Sequence, residues 1–98
     1  MVIEWLKFRV CPSHHGFFLE QDRLIWTRNL KNYQGFVDKQ IWINPDCEDE
    51  IIFVITWASR DLWKAIPVES LKFIESKFKV AMGNISFEMI ESREFYRV

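Results

Sequence analysis

Residues 50 to 58, EIIFVITWA, form an apolar run in which five of nine positions are β-branched. Such a run suits extended backbone and argues for burial on both faces rather than one. It predicts an interior strand, so the remaining residues must supply its neighbours and its cover. Upstream, GFVDKQIWIN (Gly35 to Asn44) reads as a second strand, with Val37, Ile41 and Ile43 on one face and Phe36, Asp38, Gln40 and Trp42 on the other. Asn44-Pro45-Asp46 carries turn chemistry, so the two strands form a hairpin.

The flanking segments complete the set. VIEWLKFRV (Val2 to Val10) alternates, placing Val2, Glu4, Leu6, Phe8 and Val10 on one face and Ile3, Trp5, Lys7 and Arg9 on the other. Pro12 opens a helix expected to reach about Lys31, with Phe17, Phe18, Leu24 and Ile25 at helical spacing. Ser59 caps a short helix that Pro67 ends, and the stripe Leu71, Ile74, Phe78 and Ala81 or Met82 predicts a second long helix stopped at Gly83. ISFEMIESREFYRV is the last and longest strand. The order β-α-β-β-α-β specifies a ferredoxin-like α+β fold, an antiparallel sheet with both helices on one face. At 98 residues it is one domain, residues 1–98.

In this fold the sheet face opposite the helices meets water in a monomer, yet here it offers Ile3, Trp5, Phe36, Trp42 and one row of the third strand. Apolar area on that scale predicts a partner surface, met by pairing two sheets as a homodimer. The same face carries Lys7, Arg9, Asp38 and Gln40, which must be paired or wet. Salt bridges from Lys7 or Arg9 to Asp38 are the simplest arrangement.

A net charge of −1 offers no bulk attraction for nucleic acid or an anionic membrane. No apolar run approaches membrane-span length, and Val2-Ile3-Glu4-Trp5 lacks the features of a secretory leader, so a cytoplasmic location is expected. Cys11 and Cys47 match no metal-ligand spacing and are expected as thiols, although the topology puts both near one sheet end. His14 and His15 are adjacent at a solvated helix start, so no metal site is readable. Glycine-rich phosphate loops and nucleophile or metalloprotease motifs are absent from the sequence.

The strings VIEWLKFRV, IWT, QGF, IWINP, WASRDLWKAIP, AMG and ESREF resemble the antibiotic-biosynthesis-monooxygenase-like (ABM-like) group of dimeric α+β barrels. They are most similar to a family of short, uncharacterised, largely cyanobacterial proteins within it. The resemblance implies the fold and the dimer, and a site in the cleft between sheet and helices. It also implies a range of activities: cofactor-free oxygenases, haem-degrading enzymes, and lactone isomerases or dehydratases. For haem degradation Trp63 matches one expected part, but Leu6 and Phe8 stand where a polar strand residue is needed and no histidine follows His15, so haem binding ranks last.

Three residues stand out as cleft candidates. Glu4 puts a carboxylate on the apolar face of the first strand, where desolvation suits it to general-base work, unless it pairs with Arg23 or Arg28. Trp26 on the first helix and Trp63 on the short helix are candidate cleft walls. Trp57, ending an interior strand, is expected to serve packing or dimer contact. The resulting expectation is a homodimer, without a cofactor, that binds a small hydrophobic or aromatic metabolite. The alternative is a cofactor-free monooxygenase or isomerase acting on an aromatic or quinone-like substrate.

Overall fold

The computed structural model of the chain describes Met1–Val98. Four strands, β1 (Val2–Val10), β2 (Phe36–Ile43), β3 (Glu50–Trp57) and β4 (Phe87–Tyr96), form one sheet in the order β2-β3-β1-β4. All neighbours run antiparallel, and the helices lie on one face, as in a ferredoxin-like fold.

The first connection is a composite helix. A 3-10 turn at Pro12–His14 leads into α1 (His15–Gln21), a π-helical segment (Asp22–Thr27) and a last α-helical turn, α2 (Arg28–Leu30). The second connection holds α3 (Arg60–Lys64) and α4 (Val68–Met82). Ser59 caps α3 by accepting the Leu62 N–H at 3.1 Å, and Gly83 ends α4 at a φ of 59°, which favours glycine. In the β2–β3 turn the Asn44 side chain accepts the Asp46 N–H at 2.9 Å.

The core lies between sheet and helices. Val2, Val10, Ile51, Phe53, Ile55 and Trp57 from the sheet meet Phe18, Leu30, Ile66, Phe78 and Met82 from the helical layer. At one end Phe18 stacks with Phe53 at 6.1 Å and meets Phe78 edge-on at 5.5 Å, an aromatic cluster that fixes the helices over the sheet. The outer row of β3 is only half-buried, so β3 is covered on one face within the monomer.

Two bulges adjust which residues face the helices. β2 carries an extra residue at Val37, because Phe36 pairs with Trp57 while Asp38 pairs with Thr56. Phe36 therefore does not join the outer face: it turns toward the helices and meets Trp57 edge-on at 5.8 Å. In β4 the pairing slips at Ile90, between Phe8↔Met89 and Lys7↔Glu91.

The outer face is corrected in its ion pairs as well. Lys7 lies 3.4 Å from Glu91 and 3.6 Å from Glu50, and Arg9 lies 3.3 Å from Asp49. Asp38 pairs with neither, because β3 stands between β1 and β2. Trp5 and Trp42 do lie on this face, with Trp5 edge-on to Phe95 and Trp42 donating to Gln40. Cys11 and Cys47 are free thiols.

Candidate functional site

Between the sheet and the helices is a cavity of about 460 Å³, with fourteen hydrophobic residues among the eighteen that line it. That volume suits a small organic molecule. The aromatic cluster closes one end without filling the space: Phe8, Phe18 and Phe78 are part of the wall, and Phe17 is exposed outside it. All three cleft candidates, Glu4, Trp26 and Trp63, line this one cavity.

Strand alternation brings Glu4 there, since β1 turns every even-numbered residue toward the helices. Its carboxylate accepts the Trp57 indole N–H at 3.1 Å. It does not pair with Arg23, which reaches only Glu20, three residues back on its own helix. Burial pushes the Glu4 carboxyl above the ordinary glutamate range, opposed by the Trp57 hydrogen bond and by the charges of Lys64 and Lys39. The outcome is a carboxylate held toward neutrality in an apolar enclosure, the setting of a proton acceptor.

Trp57 is more than packing. It is fully buried against the helical layer, lines the cavity, and stacks on Trp63 with ring centroids 6.4 Å apart and planes 7° from parallel. The Ser59 cap sets α3 directly after β3, and this brings the two indoles of WASRDLW face to face. Lys64 also lies over this ring, its ammonium 3.9 Å from the Trp63 ring centroid. Gly35 allows α3 to sit this close: a Cβ there would lie 2.6 Å from the Leu62 Cβ.

A second polar group in the wall was not anticipated. Lys39 Nζ donates to Asp22 Oδ2 at 2.6 Å and to Thr27 Oγ1 at 2.9 Å, with both charged side chains almost completely enclosed. Burial drives Asp22 upward and Lys39 downward, each toward its neutral form, and their mutual attraction opposes both shifts. The π-helical winding assembles this cradle. In an α-helix residues five apart point about 140° away from each other, whereas i→i+5 winding returns Thr27 to the side of Asp22.

These residues had a signal in the sequence. Lys39 has the same parity as Ile41 and Ile43, so it interrupts the apolar row of β2 with a charge. Asp22 sits four residues after Phe18 and four before Trp26, on the stripe that faces the sheet. A basic and an acidic residue each placed on an apolar face predict one another as partners.

His15 is tied down rather than free, its Nε2 lying 2.8 Å from the Val10 carbonyl oxygen. No three metal-ligating side chains converge anywhere in the chain. No helix is long and apolar enough to cross a membrane.

No protein-family model matches the sequence, and no curated protein matches it. Solved structures do match in fold. A conserved protein from Methanosarcina mazei superposes with a TM-score of 0.70 at 13% identity, over 99% of this chain and 92% of that one. A proposed antibiotic biosynthesis monooxygenase from Nitrosomonas europaea gives 0.68 at 12% identity, over 100% and 99% of the two chains. SnoaB, a cofactor-independent oxygenase from Streptomyces nogalater, gives 0.65 at 15% identity, over 99% and 92%. The chain therefore shares the ferredoxin-like fold of these proteins.

Proposed function

We propose that the cavity binds a small aromatic metabolite and that Glu4 removes a proton from it, starting a reaction of the cofactor-independent oxygenase or isomerase kind. The observation that carries this reading is a half-buried carboxylate, bonded only to an indole N–H, in the wall of a mostly apolar 460 Å³ cavity. A carbanion formed on an activated aromatic substrate reacts with dioxygen directly, and a CH2 group plus O2 then becomes a carbonyl plus water. Reprotonation at another carbon gives isomerisation instead. The fold likeness to a cofactor-independent oxygenase favours the first outcome.

The test uses 2-tetralone, a fused-ring ketone with acidic C1 protons. The wild-type protein in D2O is expected to speed exchange of those protons for deuterium, and Glu4→Gln to slow it about 100-fold. Binding of the ketone with no acceleration by the wild type would leave a binding protein without this proton transfer.

The same proposal includes a homodimer paired through the outer sheet faces. Trp5, Trp42 and Phe95 keep aromatic area on that face, and Phe95 and Trp42 are about half exposed in the monomer. Lys7 and Arg9 beside them are already paired within the monomer, with Glu50, Glu91 and Asp49, and Asp38 is exposed on the sheet-edge strand β2. Two sheets can thus meet without burying Lys7 or Arg9 as lone ions. Sedimentation equilibrium at micromolar concentration should give twice the 11.9 kDa chain mass, and Trp42→Lys should shift it toward the monomer.

A further inference from the structure

Glu4 and Lys39 occupy a single transverse row of the sheet. Glu4 pairs with Ile55, and Ile55 pairs with Lys39, so the two charged residues are two strands apart on the helix-facing surface, about 10 Å between backbones. Both side chains line the same cavity, and each feels the other's charge.

Lys39 has three N–H donors and only two oxygen acceptors, Asp22 and Thr27. Its remaining side meets the Phe53 ring, whose centroid is 4.4 Å from Nζ, a weak substitute for an oxygen. For stability alone the pair is a poor choice, because a buried ion pair is commonly no better than apolar residues of similar volume. Here it sits in the wall of an open cavity with a donor to spare.

We propose that Lys39 is the oxygen-binding group of the cavity, and that the ligand is an aromatic ketone whose oxygen takes this spare N–H while its acidic C–H faces Glu4. The inference rests on the proposed proton transfer and names the substrate class for it. The C–H proton passes to the Glu4 carboxylate, the C–H bonding pair becomes the C=C bond while the carbonyl π pair moves onto oxygen, and the resulting enolate is stabilised by the ammonium, which is held in place by Asp22 and Thr27. Asp22 and Thr27 act as positioning residues.

Calorimetric titration with 2-tetralone and with tetralin, the same ring system without the oxygen, tests the assignment. The wild type is expected to prefer the ketone by roughly 10–150-fold, the scale of one hydrogen bond to a charged group. The double variant D22N/K39M removes both charges together and should bind the two compounds equally, with tetralin affinity within about twofold of wild type. A ketone preference that survives in the double variant overturns the proposal. So does tetralin binding to the wild type as tightly as the ketone, which leaves the cavity reading intact. Failure of both compounds to bind the wild type overturns the cavity reading and this assignment with it. A second measurement needs no variant: the carbonyl carbon of bound 13C-labelled 2-tetralone should move downfield of its value in water. An upfield move, the mark of a carbonyl without a donor, contradicts the assignment.

Discussion

At the scale of single residues, the carboxylate of Glu4 and the ammonium of Lys39 set what the cavity can do, and both carry a cost in stability. Because burial raises the Glu4 pKa, the native state holds this proton more tightly than the unfolded chain does. Stability therefore falls as pH rises from the ordinary glutamate value of 4.5 through the raised folded value. Glu4→Gln removes that loss while keeping an oxygen for the Trp57 N–H. Its melting temperature should equal wild type near pH 4 and exceed it by about 2–5 °C at pH 8. A difference that stays constant across this range would mean that Glu4 is not held toward neutrality. Glu4 was legible from alternation alone, whereas its partner was not: Arg23 and Arg28 offered opposite charge on the first helix, but Trp57 is brought to it by the pairing of β1 with β3, which places Val2 opposite Trp57 and Glu4 opposite Ile55.

At the scale of elements, periodicity gave the order of strands and helices and most of their faces. It failed where the backbone departs from a fixed period. The bulge at Val37 returns Phe36 to the helix side, and nothing in QGFVD marks the extra residue. The π segment at Asp22–Thr27 has the composition of ordinary helix, so the side-by-side placement of Asp22 and Thr27 could not be read from a 3.6-residue wheel. Trp63 is positioned by a feature that was readable in part, the Ser59 cap, and by one that was not, the contact of α3 with Gly35. Gly35→Ala drives a Cβ into Leu62 and should cost about 1–3 kcal/mol in chemical denaturation. It should also change Trp63 fluorescence as α3 moves away from the sheet. An unchanged midpoint would show that α3 yields without strain.

At the scale of the molecule, the five tryptophans divide into two sets on opposite sides of one sheet. Trp26, Trp57 and Trp63 wall the cavity under the helices, while Trp5 and Trp42 lie on the outer face proposed for the dimer. The pairing order β2-β3-β1-β4 produces this division by sending alternate residues of each strand to opposite faces. The proposed proton transfer and the proposed subunit contact thereby fall on opposite sides of the sheet within a chain of 98 residues. The most direct check is a titration of 15N-labelled protein with 2-tetralone, observed at the five indole N–H signals. The signals of Trp26, Trp57 and Trp63 should shift, with that of Trp57 most affected because its N–H is bonded to Glu4, and those of Trp5 and Trp42 should stay in place. Shifts confined to Trp5 and Trp42, or no shift at all, would contradict an open ligand cavity between sheet and helices.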